Sequence, residues 1–220
     1  MNVLWINQEV TLPLTKSVID KQVEAAEIMG RICYKSEPKG DPIAFLSRII
    51  NRGHESVIEH INIPAVLSTD RAVTHQLVRH RHMSVSMESQ RYVNYDRKGI
   101  ICFVRPQFFN DEKVDPKTIE EFKDTCQNLA EKYVELVQGG LPPEEARGLL
   151  PNCTATVIGV TANLREWRHI FRMRLDGAAQ PQIRALLLAL RQKMELKYDL
   201  AWAFKDIPVD TNRLHSVPEL

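Results

Sequence analysis

The chain has 220 residues, enough to bury a sizeable core without help from disulfides or a structural metal, and one domain over residues 1–220 is the expectation. Its 29 Lys plus Arg balance 28 Asp plus Glu, which argues against a protein that coats nucleic acid through a general positive field and makes any basic site local. The cysteines Cys33, Cys102, Cys126 and Cys153 lack the short spacings of zinc or dithiol motifs and read as reduced thiols; with no basic-then-apolar opening and no apolar run of ~20 residues, the expectation is a cytoplasmic protein with no membrane span.

Residues 3–13 mix apolar and β-branched types and run into a Pro-containing stretch, which predicts an opening strand or hairpin. A helix capped by Ser17 follows, with Ile19, Val23, Ala26, Met29 and Cys33 recurring at spacings of three and four to give one core-facing stripe. Residues 42–51 predict a short helix with Asp41 as cap and Gly53 closing it. Residues 61–69 read as a strand with an edge or irregular start at Pro64, and Asp70 as the cap of a helix carrying Val73, Gln76, Leu77 and His80 towards Arg79-His80-Arg81.

Asp115, Pro116 and the repeat Ile119, Phe122, Cys126, Leu129, Tyr133 and Leu136 predict a structural helix stopped by Gly139-Gly140. Residues 154–162 are rich in β-branched types and predict a buried strand. Asn163 and Glu166 have the spacing of a capping pair for a helix with Arg165, His169 and Arg172 on one side. The last helix starts near Pro181, and its run Leu186-Leu187-Leu188-Ala189-Leu190 is apolar all round, which predicts packing against another subunit. The fold class is α+β, a small mostly antiparallel sheet with packed helices.

Chemistry concentrates in the fourteen residues from Arg79 to Tyr92, where Arg79, His80, Arg81, His82 and Arg91 are interspersed with Ser84, Ser86 and Ser89. Guanidinium groups bind phosphate or paired carbonyls bidentately, and hydroxyls with loop N–H groups complete a phosphate shell, so this density suits a phosphorylated planar ligand. A solvated basic face and a nucleic-acid patch are the alternatives. Met83, Val85 and Met87 alternate with polar residues, as in a chain half-buried in a cleft, and the stacking aromatics Tyr92 and Tyr95 are sparse for a polymer site. A polymer-binding module here would lose affinity steeply with salt.

Arg79-His80-Arg81 followed by seven residues and Ser89 resembles the signature of the flavin-dependent thymidylate synthases, also called thymidylate synthase complementing proteins. Arg52-Gly53-His54-Glu55-Ser56-Val57-Ile58-Glu59-His60 is similar to that family's Gly-His-x-Ser/Thr-x-x-Glu-His region. Arg147-Gly148-Leu149-Leu150-Pro151, Asn163-x-Arg165 and Arg174 are similar to its second half, so the likeness spans roughly residues 50–95 and 145–185. Met87 stands where the family often has Glu or Gln, and His169 where Asn is familiar.

The resemblance implies methylation of dUMP to dTMP with FAD, NADPH and methylenetetrahydrofolate, in a homotetramer whose active sites are shared between subunits. It implies FAD contacts from His54, Ser56, Arg79, His80, Arg81, Asn163, Arg165 and His169. It implies dUMP contacts from Gln76, Arg79, Glu88, Ser89, Gln90, Arg91, Arg147 and Arg174, with Arg174 the catalytic candidate that stabilises an anionic uracil. Each has a plainer reading: Asn163 as a helix cap, Arg165, Arg172 and Arg174 as surface or ion-paired residues, and His54, His60 and His75 as structural histidines. No His or Lys is placed by local spacing to activate Ser89 as a nucleophile. No metal is expected: His54-Glu55 has its next His six residues on, off the face a zinc-protease helix needs. A different flavin or nucleotide enzyme on the same scaffold is the other rival, and a Gly-rich dinucleotide fingerprint is absent.

Overall fold

A computed structural model describes residues 1–33, 35–38 and 40–219, with Lys98 described by its backbone alone. The opening residues form two strands, β1 (Asn2–Ile6) and β2 (Glu9–Thr11), which enter different sheets and make no hairpin. Between them the buried Gln8 amide donates to Thr69 Oγ1 at 2.7 Å, tying the turn to a third strand instead of letting the chain fold on itself.

Helix α1 (Lys16–Ile32) starts after Thr15, two residues earlier than a Ser17 cap would place it, and Thr15 makes no side-chain cap bond. Ile19, Val23 and Ala26 are buried as expected; the stripe then continues through Gly30, while Met29 and Cys33 are exposed. Gly30 lies so close to the next helix that a Cβ there would sit 2.9 Å from both Phe45 and Val57. That helix, α2 (Pro42–Asn51), has Asp41 accepting from the Ile43 and Ala44 N–H groups and ends before Gly53 at φ +81°.

A 3₁₀ turn (Glu55–His60) leads into β3 (Asn62–Asp70), and the Asp70 carboxylate caps α3 (Arg71–Leu77) through Val73 N–H at 2.7 Å. Then come β4 (Met83–Met87), α4 (Tyr95–Lys98), β5 (Ile100–Val104), α5 (Pro116–Gln138) and α6 (Pro143–Ala146). The chain closes with β6 (Ala155–Asn163), α7 (Leu164–Arg174), α8 (Pro181–Tyr198) and α9 (Ala201–Phe204).

The main sheet is antiparallel in the order β2-β3-β6-β4, and β1 pairs in parallel with β5. The fold is α+β. Pro64 falls inside β3 at a point where β2, which reaches only Val66 to Ser68, supplies no neighbour, so its missing N–H needs no second partner there. Strand β6 is half-buried rather than wholly so: Thr156, Ile158, Val160 and Ala162 face the core while Val157 is exposed.

The Leu186 to Leu190 run needs no second subunit to cover it, contrary to the sequence expectation: all five residues are buried by the chain's own elements. Helix α8 passes through the middle of the fold, touching α1, α7, α9 and β2, so residues 182–190 meet protein on every face while Leu196 near the helix end is exposed. Nor is it the last helix, since α9 follows. Buried Arg184 on α8 donates to the Asp210 and Asn212 carbonyls, strapping the C-terminal segment across the turn after Arg174. A second apolar cluster joins Ile101 and Phe103 to Cys126, Ala130 and Tyr133 of α5. Among the described residues no helix is long and apolar enough to cross a membrane.

Candidate active site

The sheet register brings distant segments together. Between Asp70, opposite Ala155, and Met83, opposite Ala162, the chain travels the length of β6 by way of α3. Strand β6 ends at that same edge and turns into α7, capped by Asn163 Oδ1 accepting from Glu166 N–H at 2.8 Å. His80, a few residues past α3, is thereby set against α7.

There the Arg174 Nε donates to His80 Nε2 at 3.1 Å and its Nη2 to the Gln76 carbonyl at 3.2 Å. The His169 ring stands edge-on to His80, centroids 5.6 Å apart. His80 is 8% exposed, and burial, with Arg174 and His169 nearby, holds its pKa down at about 4, so the imidazole is neutral at physiological pH. The Gln76 amide donates to Gln180 Oε1 at 2.5 Å, at the start of α8. Four predicted site residues, Gln76, His80, His169 and Arg174, thus form one group from segments almost a hundred residues apart.

A second group lies on the other side of α3. Glu88 is bound through its carbonyl by Arg71 at 3.3 Å and through its carboxylate by the Tyr95 hydroxyl at 3.4 Å. Burial first, then Glu88, pushes the Tyr95 pKa up to about 12. Ser89 Oγ accepts from Arg91 N–H at 3.3 Å, which leaves its own O–H free to donate. Arg91 Nε reaches Glu144 Oε2 at 3.0 Å and Arg147 Nε reaches the Glu144 carbonyl at 3.0 Å. Gln90 and Arg147 line a cavity of about 460 Å³ with Arg71 and His75 of α3.

A third group surrounds the 3₁₀ turn. His54 and Ser56 are exposed, and Glu55 between them points inward to Arg168 Nη2 at 3.0 Å and Arg172 Nη2 at 2.7 Å. Arg168 is fully buried and also binds Asp206 at 2.7 Å and the Ala203 carbonyl. Arg165 is exposed and paired with Glu59 at 2.5 Å. Arg79 and Arg81 are exposed, with no ion-pair or hydrogen-bond partner for either side chain among the described residues. No side-chain hydrogen bond or ion pair among the described residues joins these three groups to one another, so the structure of one chain brings together part of the expected set and leaves the rest on open surface.

The donor set fits a flavin: exposed imidazoles and the Arg79 and Arg81 guanidiniums, which make no ion pair among the described residues, match a phosphate group and an anionic reduced ring. His80, Glu166 and His169 have ligand atoms within 4.8 Å of one another, a spacing a metal ion could accept, and the Arg174 guanidinium bound to the same His80 ring adds positive charge that disfavours a cation there.

An α+β fold that gathers guanidinium and imidazole groups from distant segments suits a class of protein that holds an anionic planar ligand. Residues 17–198 match the model of the family described as thymidylate synthase complementing protein. The chain is 38% identical over 176 residues to a flavin-dependent thymidylate synthase of Geobacter sulfurreducens, covering 76% of this chain and 74% of that one. It is 35% identical over 202 residues to a probable flavin-dependent thymidylate synthase of Mycobacterium phage D29, covering 85% and 84%. A flavin-dependent thymidylate synthase of Pyrococcus furiosus is 36% identical over 157 residues, covering 70% and 63%. The chain belongs to the thymidylate synthase complementing protein family.

Arg168, Asp206, Glu144 and Gln180 are no part of the sequence expectation, nor are roles for Glu55 and Glu166 beyond a motif position and a cap. Only Arg168 carried a signal, since it lies with Leu164, Trp167 and Phe171 on the buried side of α7. The others are ordinary polar residues until their distant partners are known.

Proposed function

We propose that the chain methylates dUMP to dTMP, with methylenetetrahydrofolate as carbon donor and FAD, reduced by NADPH, as redox carrier. When bound, the flavin supplies the hydride chemistry. The chain's own residues bind, orient and stabilise charge. The observation that carries this reading is Arg174, held by His80 and the Gln76 carbonyl with Nη1 unclaimed by any partner among the described residues. A guanidinium fixed on two sides and open on the third suits a uracil carbonyl edge and stabilises the ring as its N3 proton is lost.

Gln76 faces the base edge once it exchanges its bond to Gln180. Ser89, Gln90, Arg91 and Arg147, with Glu88 shaping the turn, hold the nucleotide phosphate, which takes over Arg91 from the Glu144 carboxylate. His54, Ser56, Arg79, His80, Arg81, Asn163, Arg165 and His169 hold FAD; the exposure of most of them in one chain supports a homotetramer in which neighbouring copies complete each site. Residues 1–220 act as one domain, in the cytoplasm, with neither a nucleic-acid polymer nor a membrane as partner. Asn163 caps α7 through its carbonyl and keeps its NH₂ for the cofactor.

Purified protein should bind FAD and turn yellow, and the flavin absorption should bleach under NADPH. With methylenetetrahydrofolate present, hydrogen should be released from C5 of labelled dUMP. No release, with flavin demonstrably reduced and folate present, would remove this function.

A further inference from the structure

Glu166 occupies the third position of α7, where a Glu ordinarily reaches back to the cap residue's N–H. Here it makes no such bond. It is 7% exposed, and its Oε1 lies 3.9 Å from His80 Nδ1. A neutral imidazole carries one N–H, and His80 Nε2 is committed as acceptor to Arg174 Nε–H, which leaves the proton to Nδ1, the ring nitrogen 3.9 Å from that carboxylate. A slight ring rotation is enough to shorten 3.9 Å to a hydrogen bond. Among the described residues neither His169, edge-on to the ring, nor Arg174 makes a hydrogen bond to Nδ1.

We propose that Glu166 is a positioning residue: its carboxylate accepts the Nδ1 proton of His80, fixes Nε2 as an acceptor, and so aims the Arg174 guanidinium into the site. The chain Glu166–His80–Arg174 follows the general pattern in which a buried carboxylate sets the tautomer and orientation of a histidine that acts on a third group. The step from Arg174 to the nucleotide rests on the function proposed above. The placement of the His80 proton does not.

The test begins with apoprotein labelled with ¹⁵N at histidine, in which two-bond imidazole spectra near pH 8 report the tautomer with neither flavin nor nucleotide present. His80 should be in the Nδ1–H form. Arg174→Ala should keep that form because Glu166 still holds the proton, and Arg174→Ala with Glu166→Ala should move His80 to the Nε2–H form that free imidazole side chains prefer. A shift to Nε2–H in Arg174→Ala alone, with Glu166 intact, overturns the proposal.

In turnover, Glu166→Ala should lower kcat for dTMP formation about tenfold while KM for dUMP changes less than about twofold, and should cost nothing further in a His80→Ala background. Glu166→Gln, whose carbonyl still accepts from Nδ1, should stay within about threefold of the parent. An undiminished loss in the His80→Ala background overturns the proposal, as does an effect on KM alone. Correct tautomers in a protein that makes no dTMP would instead sink the proposed function and leave the Glu166 contact standing.

Discussion

Arg168→Met isolates the ionic joint between α7 and the 3₁₀ turn. Arg168 is 0% exposed and gives four hydrogen bonds, to Asp206 at 2.9 and 2.7 Å, Glu55 at 3.0 Å and the Ala203 carbonyl. Met fills similar volume without charge, so the loss is mainly that of partners left behind. Removing one member of a buried ion pair costs about 3–5 kcal/mol. The lower figure applies, because Arg172 still reaches Glu55 at 2.7 Å and Asp206 at 3.2 Å, and Asp206 is 43% exposed to water. A loss of about 3 kcal/mol corresponds to a Tm lower by roughly 6–12 °C for a chain of this size.

Urea unfolding should show a lower midpoint with unchanged slope, and FAD titration a weaker affinity, since Glu55 sits between His54 and Ser56. Arg172→Met alone should cost less than about 1 kcal/mol, its side chain being 40% exposed. The double variant should lose more than the sum, because the half-buried Glu55 is then left without either guanidinium. A Tm for Arg168→Met within about 2 °C of the parent would refute the reasoning, because it would give the network no more weight than a surface pair.

Arg174→Ala should keep fold and FAD binding while lowering kcat by about 100-fold or more, checked by single-turnover kinetics with prereduced flavin. Cys153→Ala should keep turnover within about twofold of the parent, because contact with Cys126 at 3.7 Å and burial raise the Cys153 pKa and withhold a thiolate nucleophile; loss of activity would place that thiol in the chemistry. Hydrogen bonding by Arg168, against an opposing effect of burial, lowers the Asp206 pKa to about 2 from 3.8, so its stabilisation is complete above the unfolded value and is lost as pH falls towards 2; this acid sensitivity should shrink in Arg168→Met, measured as Tm against pH. Burial raises the Asp70 pKa to about 6, the opposite sign, so that its contribution is present at low pH and lost as pH rises through 6. Asp70→Asn, which keeps an acceptor for Val73 N–H, should therefore match or exceed the parent's Tm at pH 7, and the difference should narrow below pH 5.

What could be read from the sequence is what neighbouring residues decide among themselves. Asp41, Asp70, Asp115 and Asn163 each accept from N–H groups two or three residues ahead, so the helix starts were legible locally. The Arg79-His80-Arg81 and Gly53-His54 segments carried the family likeness for the same reason, as did the α+β alternation of periods. Local spacing misled where a distant approach governed: Gly30 took the place of Met29 on the core stripe because α2 presses against α1 there.

The tertiary structure decided everything that depends on a partner far along the chain. An all-round apolar helix is ambiguous between a subunit interface and a central position, and only packing showed that this chain encloses Leu186 to Leu190 itself. Glu55, Glu166, Arg168 and Asp206 are unremarkable as letters, because the stability of a buried charge comes from a counter-charge whose position is set by sheet register. The same register, Asn62 opposite Asn163 and Met83 opposite Ala162, sets His80 against α7 and so within reach of Arg174.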